Sequence, residues 1–203
     1  MKSYYKLYTL SGFLRLIANT IRTRLFYPKA KIIRFPIDFR GLDFIEYGKG
    51  FTTGRGCRIE AYPQDKKSVS VRIGDNFQMN DYVHITGIAN VEIGDNVLIA
   101  SKVYISDLSH GSYQGDKSDS HPDSIPKERP LYHKDVIIKD NVWLGEFVTV
   151  LPGVSIGKGS IIGANSVVAK DIPDYSIAVG SPARVIKKFN FDLNKWEKTT
   201  QLT

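Results

Sequence analysis

Four histidines and one cysteine are the residues of this 203-residue chain best suited to proton exchange or soft-metal binding near neutral pH. Three of the histidines, His110, His121 and His133, fall in a single stretch, residues 107–135, that is rich in Ser, Asp, Gly, Pro and Lys. The fourth, His84, lies upstream. A positioned histidine accepts a proton from a hydroxyl as that hydroxyl becomes a nucleophile. A zinc ion would instead need three ligands converging within about 2.1 Å, and beyond His84 and His110 the sequence offers no well-placed third. Cys57 stands alone, which excludes an intramolecular disulfide or a thiolate cluster and fits a reducing compartment, with the cytoplasm expected.

What must position these groups is a repeat. From residue 138 the chain returns to an aliphatic residue every sixth position: Ile138, Leu144, Val150, Ile156, Ile162 and Val168. Four residues after each stands another aliphatic or small residue, Val142, Val148, Val154, Ser160, Ser166 and Ile172. The same phase recurs upstream at Tyr47, Thr53 and Ile59, at Ile73, Met79 and Ile85, and at Ile93, Ile99 and Ile105, with Thr53 its one polar member. Cys57 falls on the inward position four residues after Thr53 and reads as a small core residue rather than a nucleophile. A period of six is neither helical nor a simple strand alternation. It fits flat strands joined by tight corners, three to a turn, stacked into a triangular column. About five such coils are expected, at 47–64, 73–90, 93–110, 138–155 and 156–173.

Residues 107–135 interrupt this column, and a long excursion from so regular a scaffold is where chemistry is expected. Before the column, residues 3–26 place Leu7, Leu10, Leu14, Ile17 and Ile21 at helical spacing among Lys6, Arg15, Arg22 and Arg24. This basic amphipathic helix has two readings: a cap over the open end of the column, or a contact with an anionic membrane surface. The expected domain organisation is therefore a helical cap at 1–28, a column at 29–188 and a tail or short helix at 189–203. The net charge of +7 suits phosphorylated or otherwise acidic partners. No recognition helix, aromatic-lined sheet signature or zinc spacing supports nucleic-acid binding. No run approaches the roughly 18 apolar residues of a spanning helix, and Arg15 and Arg22 interrupt what would be a signal-peptide core.

The runs Ile93-Gly-Asp-Asn-Val-Leu-Ile-Ala, Val142-Trp-Leu-Gly-Glu, Ser106-Asp-Leu-Ser-His-Gly, Ile162-Gly-Ala-Asn-Ser-Val-Val-Ala-Lys-Asp-Ile-Pro and Val179-Gly-Ser-Pro-Ala-Arg-Val-Ile-Lys-Lys resemble those of the hexapeptide-repeat acyltransferases. Within that family they look most like bacterial O-acetyltransferases of lipopolysaccharide O-antigen and capsule sugars, and more distantly like galactoside and maltose acetyltransferases. The resemblance covers residues 47–188. It implies an all-β, left-handed parallel β-helix, a homotrimer, and acetyl-coenzyme A lying in the cleft between neighbouring columns as acyl donor, with no metal required. It also implies acetyl transfer to a sugar hydroxyl of a surface polysaccharide or its precursor.

His110 occupies the position of the family's catalytic histidine and is expected to be the general base, while His121 and His133 are expected at the surface. Trp143, pointing outward by its phase, matches a tryptophan beside the catalytic histidine, with a structural subunit contact as the alternative. Asn80 matches an asparagine near the reacting hydroxyl, and a turn asparagine is the alternative. His84, also outward by phase, is a third candidate for acceptor contact. The sugar-binding carboxylate of the galactoside and maltose enzymes falls near Gly87 and Ile88, so their acceptor geometry does not carry over. For coenzyme A the resemblance points to backbone around Gly145, Gly163 and Ala164, with Lys170 and Arg184 meeting the phosphates. Competing readings are N-acetylation of an amino sugar or antibiotic, a γ-class carbonic anhydrase, and a trimeric scaffold without catalysis. No covalent nucleophile is evident, so direct transfer is expected.

Overall fold

The computed structural model describes residues 8–199. Three sheets form the sides of one column. The first contains Ala30–Ile32, Phe51–Thr53, Gln78–Met79, Leu98–Ile99, Trp143–Leu144, Ile161–Ile162 and Ser176–Val179, all parallel. The second contains Ile37–Arg40, Cys57–Ala61, His84–Gly87, Tyr104–Ser106, Thr149–Val150 and Val167–Val168, and the third Ile45–Tyr47, Val71–Ile73, Val91–Ile93, Val136–Ile138 and Ser155–Ile156. Between Ile45 and Val168 the chain visits the third, first and second sheets in turn, so each circuit adds one strand to every side.

Register explains the six-residue period. Ile59, Ile85, Ile105, Val150 and Val168 are successive partners up the second sheet, and all are buried. Thr53, Met79, Ile99, Leu144 and Ile162 form the matching ladder in the first sheet, with Thr53 taking its place despite its hydroxyl. In the third sheet Ile93 pairs with Ile138 across the whole excursion, so the interruption leaves the stack unbroken. Tyr47 is only partly buried and rests on Phe51, ring centroids 4.8 Å apart. Cys57 is buried, and burial pushes its thiol up to about 11, as befits a core residue.

The corners carry a second repeat. Asn76, Asn96 and Asn141 turn the chain from the third sheet to the first in the left-handed conformation that asparagine tolerates. The aspartate before each reaches back one coil. Asp75, Asp95 and Asp140 accept the backbone N–H of Lys49, Asp75 and Asp95 at 2.7, 2.7 and 3.0 Å. A Cβ at Gly74 would collide with the Asp95 carboxylate, which explains the glycine preceding Asp75.

Helix α1 (Leu10–Phe26) begins at Thr9, whose hydroxyl accepts the Gly12 N–H, and lies over the strand Ala30–Ile32. Lys6 and Leu7, and the start of the expected 3–26 helix, lie outside the described residues. Buried Thr23 accepts the Ile33 N–H at 2.9 Å, and the Arg22 guanidinium sits 3.8 Å from the Phe35 ring centroid. At the other end Arg184–Asn190 and Lys195–Lys198 form an antiparallel hairpin on the first sheet. The segment from Phe189 to Trp196, for which a short helix was one expectation, is therefore β structure. Edge-on contacts of Phe189 with Trp196 and Phe191, and of Phe191 with Tyr175, favour the hairpin by giving its aromatic residues a common cluster. The last four residues of the expected 189–203 tail lie outside the described residues.

Candidate active site

The excursion leaves the second sheet after Ser106 and is anchored at its root by Asp107, which is fully buried. One carboxylate oxygen accepts the N–H groups of Ile88, Ala89 and Asn90 at 3.0, 2.8 and 3.0 Å, and the other accepts Ile88 again at 3.0 Å. Burial pushes this carboxyl above the usual aspartate range, against the pull of those donors and of His133. The Asp107 carbonyl in turn accepts the Lys134 N–H at 2.9 Å, so the two ends of the excursion meet at one residue.

His110 closes the short strand Leu108–His110, which pairs antiparallel with Leu131–His133 and places His110 opposite Leu131. Its carbonyl accepts the Tyr113 hydroxyl at 2.6 Å. That phenol accepts from Arg129 at 2.7 Å. Arg129 also donates to Ser124 Oγ and to the carbonyls of Pro122 and Ser124, tying the loop into one body. The His110 main chain is thus held from both sides while its side chain is exposed and makes no hydrogen bond among the described residues. Such an imidazole is free to accept a proton from a ligand. His121 is largely exposed near Asp123, and His133 is exposed on the strand opposite Leu108.

His84 is placed differently. Its Nδ1 accepts from Arg58 at 3.2 Å and its Nε2 lies 2.7 Å from Glu60 and 2.8 Å from Thr86. An arginine can only donate, which makes Nδ1 an acceptor and leaves the proton on Nε2, facing Glu60. Both nitrogens are therefore committed to the protein. Burial alone would raise the Glu60 carboxyl, but His84, Arg58 and Thr86 outweigh it and hold it below the usual range. Arg40 adds a contact to Glu60 at 2.7 Å.

Asn80 sits half-buried at the corner between the first and second sheets. Its carbonyl accepts the Cys57 thiol, and its side-chain oxygen lies 3.4 Å from Gln78 Nε2. Trp143 points outward, 48% exposed, in a row with Leu98 and Ile161 on the first sheet. A half-bare indole flanked by aliphatic residues marks a surface suited to cover by another molecule. No hydrogen bond or ring contact joins His110 to Asn80, Trp143 or His84 among the described residues, and the three lie on different sides or corners of one column.

Gly145 and Gly163 are spaced by packing. A Cβ on Gly145 would stand 2.7 Å from the Ala164 nitrogen, and one on Gly163 2.7 Å from Val179. Gly145 is buried and Gly163 half-buried, and their N–H groups donate to the Ile162 and Ala178 carbonyls, so neither offers a ligand a free donor. Ala164 is exposed beside them. The Ala183 N–H donates to the Val167 carbonyl at 2.8 Å, bringing the segment that bears Arg184 against the strand Val167–Val168, just before exposed Lys170. These two cations thus share the last turn of the column. Within one chain, among the described residues, no three His, Cys, Asp or Glu side chains converge as metal ligands would.

Comparison with known proteins gives this arrangement its context. A model of the bacterial transferase hexapeptide family, six repeats, matches residues 135–170. Over 193 residues, covering 95% of this chain and 96% of the relative, the sequence is 46% identical to WbbJ of Escherichia coli K12, named as a lipopolysaccharide biosynthesis O-acetyl transferase. It is 37% identical to the galactoside O-acetyltransferase of the same organism, over 68% of this chain and 64% of that one. Among solved structures, a maltose O-acetyltransferase from Clostridium difficile matches with a TM-score of 0.55 at 32% identity, over 75% of this chain and 71% of that one. AntD, an N-acyltransferase from Bacillus cereus solved with coenzyme A, matches with a TM-score of 0.65 at 22% identity, over 81% and 83%. Together the likenesses imply a left-handed β-helix for the column.

Asp107, Tyr113 and Arg129, which fix the excursion, were not singled out from sequence. Aspartate, tyrosine and arginine are ordinary surface residues in a loop, and only the break of the six-residue phase after Ser106 marks where a hinge must lie.

Proposed function

Because this chain belongs to the hexapeptide-repeat acyltransferase family, we propose that it transfers an acetyl group from acetyl-coenzyme A to a sugar hydroxyl of a surface polysaccharide or its precursor, with His110 as general base. The observation that carries this reading is the His110 side chain, exposed and unengaged on a backbone fixed through Tyr113 and Arg129. The 46% identity to WbbJ along nearly the whole chain supports the polysaccharide acceptor.

In this mechanism the acceptor oxygen attacks the thioester carbon as its proton passes to His110. The tetrahedral centre collapses by breaking the carbon–sulfur bond, and His110 returns the proton to the departing thiolate. No acyl-enzyme forms, and Cys57, buried with a raised thiol, is unsuited to be a nucleophile. No hydrogen bond or ring contact joins Asn80 or Trp143 to His110 within one chain among the described residues, so in this reading their help comes across a subunit boundary. The outward row of Leu98, Trp143 and Ile161 supports a trimer in which the cleft is completed between chains. Asn80 would orient the acceptor or support the oxyanion. His84, with both nitrogens engaged, contributes to the acceptor face through its ring and its Glu60 network rather than as a free donor. Gly145, Gly163 and Ala164 would let the pantetheine arm lie close, and Lys170 and Arg184 would meet the phosphates.

Thiol release from acetyl-coenzyme A by wild type and His110→Ala, across sugars, sugar nucleotides, amino sugars and deacetylated polysaccharide, tests this. Release that needs a hydroxyl acceptor and falls by roughly 10² to 10⁴ in the variant is expected. Release with amine acceptors alone would move the assignment to N-acetylation, and undiminished release in the variant would remove His110 from the chemistry.

A further inference from the structure

The face of α1 that packs on the column is not its hydrophobic face. Leu16, Asn19 and Thr23 turn toward the column, where Asn19 and Thr23 bond the segment Ile33–Phe35. Leu10, Leu14, Ile17, Ile21 and Leu25, spaced by four, three, four and four residues, form a continuous stripe 41–77% exposed to solvent. Capping the column therefore uses one side of the helix and leaves the aliphatic side uncovered.

Charge selects the occupant. Residues 1–37 contain eight Lys and Arg and no Asp or Glu, leaving 20 basic against 21 acidic in the other 166 residues. The whole surplus of the protein therefore lies in the segment of sequence that contains this helix. Helical spacing places Arg24 along one edge of the stripe and Arg15 and Arg22 beyond the other. A second copy of the helix would bring identical cations against these. An anionic surface matches them on both sides.

From this stripe and its cationic borders we propose that α1 lies flat on an anionic lipid bilayer, burying Leu10, Leu14, Ile17, Ile21 and Leu25 among the acyl chains while Arg15 and Arg24 meet headgroup phosphates. Among the described residues no helix is long and apolar enough to cross a membrane, which suits a helix lying in the interface. This docking is independent of the transfer reaction and would stand if His110 had no part in it.

Co-sedimentation of the full-length protein with vesicles of phosphatidylcholine, with and without phosphatidylglycerol, tests the proposal. Binding at least about tenfold stronger to the anionic vesicles is expected, weakening as salt is added. Ile17→Gln combined with Ile21→Gln should abolish that binding without changing the melting temperature. Arg15→Gln and Arg24→Gln should each weaken it roughly fivefold. Equal binding to both vesicle types, or undiminished binding by the stripe variant, would overturn the proposal. So would an early-melting stripe variant, which would mean the stripe is packed within the protein. A stripe variant that dissociates a lipid-free assembly of the wild type would assign the face to a second copy instead.

Discussion

The column and the excursion that interrupts it are held together in opposite ways. In the column the same contact recurs at every level: one aliphatic residue per side stacked on the next, and one corner aspartate accepting one N–H from the coil before it. In the excursion nothing recurs. Its root depends on one buried carboxylate accepting three N–H groups, and its interior on one guanidinium with four acceptors. Redundant contacts make a scaffold that tolerates the loss of any one corner, whereas singular contacts give a precise loop that a single substitution can release. His110 lies in the second kind of region, three residues from its hinge.

The sharpest way to break this comparison is to remove bulk from the column and watch what the excursion does. Leu144 is fully buried between Ile99 and Ile162. Leu144→Ala should lower unfolding stability by about 2 to 5 kcal/mol, since neighbours on a hydrogen-bonded ladder cannot collapse far into the space. Denaturant unfolding measures this. At temperatures where the variant remains folded, its acetyl-transfer rate per molecule should match wild type, because its loss falls on the scaffold as a whole. A rate that falls in step with stability would mean the two regions are not mechanically distinct.

Asp107→Ala reverses the pattern. Three N–H groups, that of buried Ile88 and those of half-buried Ala89 and Asn90, lose their acceptor, with an expected cost of about 2 to 3 kcal/mol, confined to the turn at residues 88–90 and the excursion root. With His110 as the proposed base, Asp107 would act as a positioning residue, and kcat should fall on the order of ten- to a hundredfold as His110 loses its fixed approach. KM for acetyl-coenzyme A should hold, since the proposed phosphate contacts, Lys170 and Arg184, are carried by the last turn of the column. Asp107→Asn, which keeps an oxygen for the same donors, should recover most of kcat. Loss of kcat and KM together, without recovery by asparagine, would reduce Asp107 to a purely structural contact.

The same contrast decides what could be read in the sequence. The column was legible because each level repeats the same requirement, so the Ile, Val and Leu phase appears again and again. Even Thr53 could be placed by its neighbours. The excursion could be located by the break in that phase, and His110 within it by the motif Ser-Asp-Leu-Ser-His-Gly, but its internal contacts are used once each and leave no pattern. Similarly, the spacing showed that α1 has an apolar face but not which face meets the column, because Asn19 and Thr23 dock through hydrogen bonds that periodicity does not register. The aromatic hairpin at Phe189–Trp196 was missed as a hairpin because its pairing depends on cross-strand rings rather than on an alternating pattern.

Each region also carries one buried carboxylate, and the two respond to pH in opposite directions. Glu60, on the column's second sheet, is held below its ordinary value of 4.5 because His84, Arg58 and Thr86 outweigh its burial. Its folded form binds fewer protons than its unfolded form, so its contribution is complete above about pH 4.5 and is lost as pH falls through the folded value. Glu60→Gln should therefore cost about 1 to 2 kcal/mol at pH 7, discounted for arginine partners that are nearly half exposed, and progressively less under acid conditions. Asp107 is held above its ordinary 3.8 by burial, which outweighs the backbone donors and the His133 charge that oppose it. Its folded form binds more protons, so its contribution is complete below about pH 3.8 and declines as pH rises through the folded value. The deficit of Asp107→Asn should accordingly shrink toward neutral pH while that of Glu60→Gln grows. Denaturant titrations of both variants beside wild type from acid to neutral pH would show slopes of opposite sign. Parallel slopes would mean that the cations around Glu60 do not distinguish its site from the hinge of the excursion.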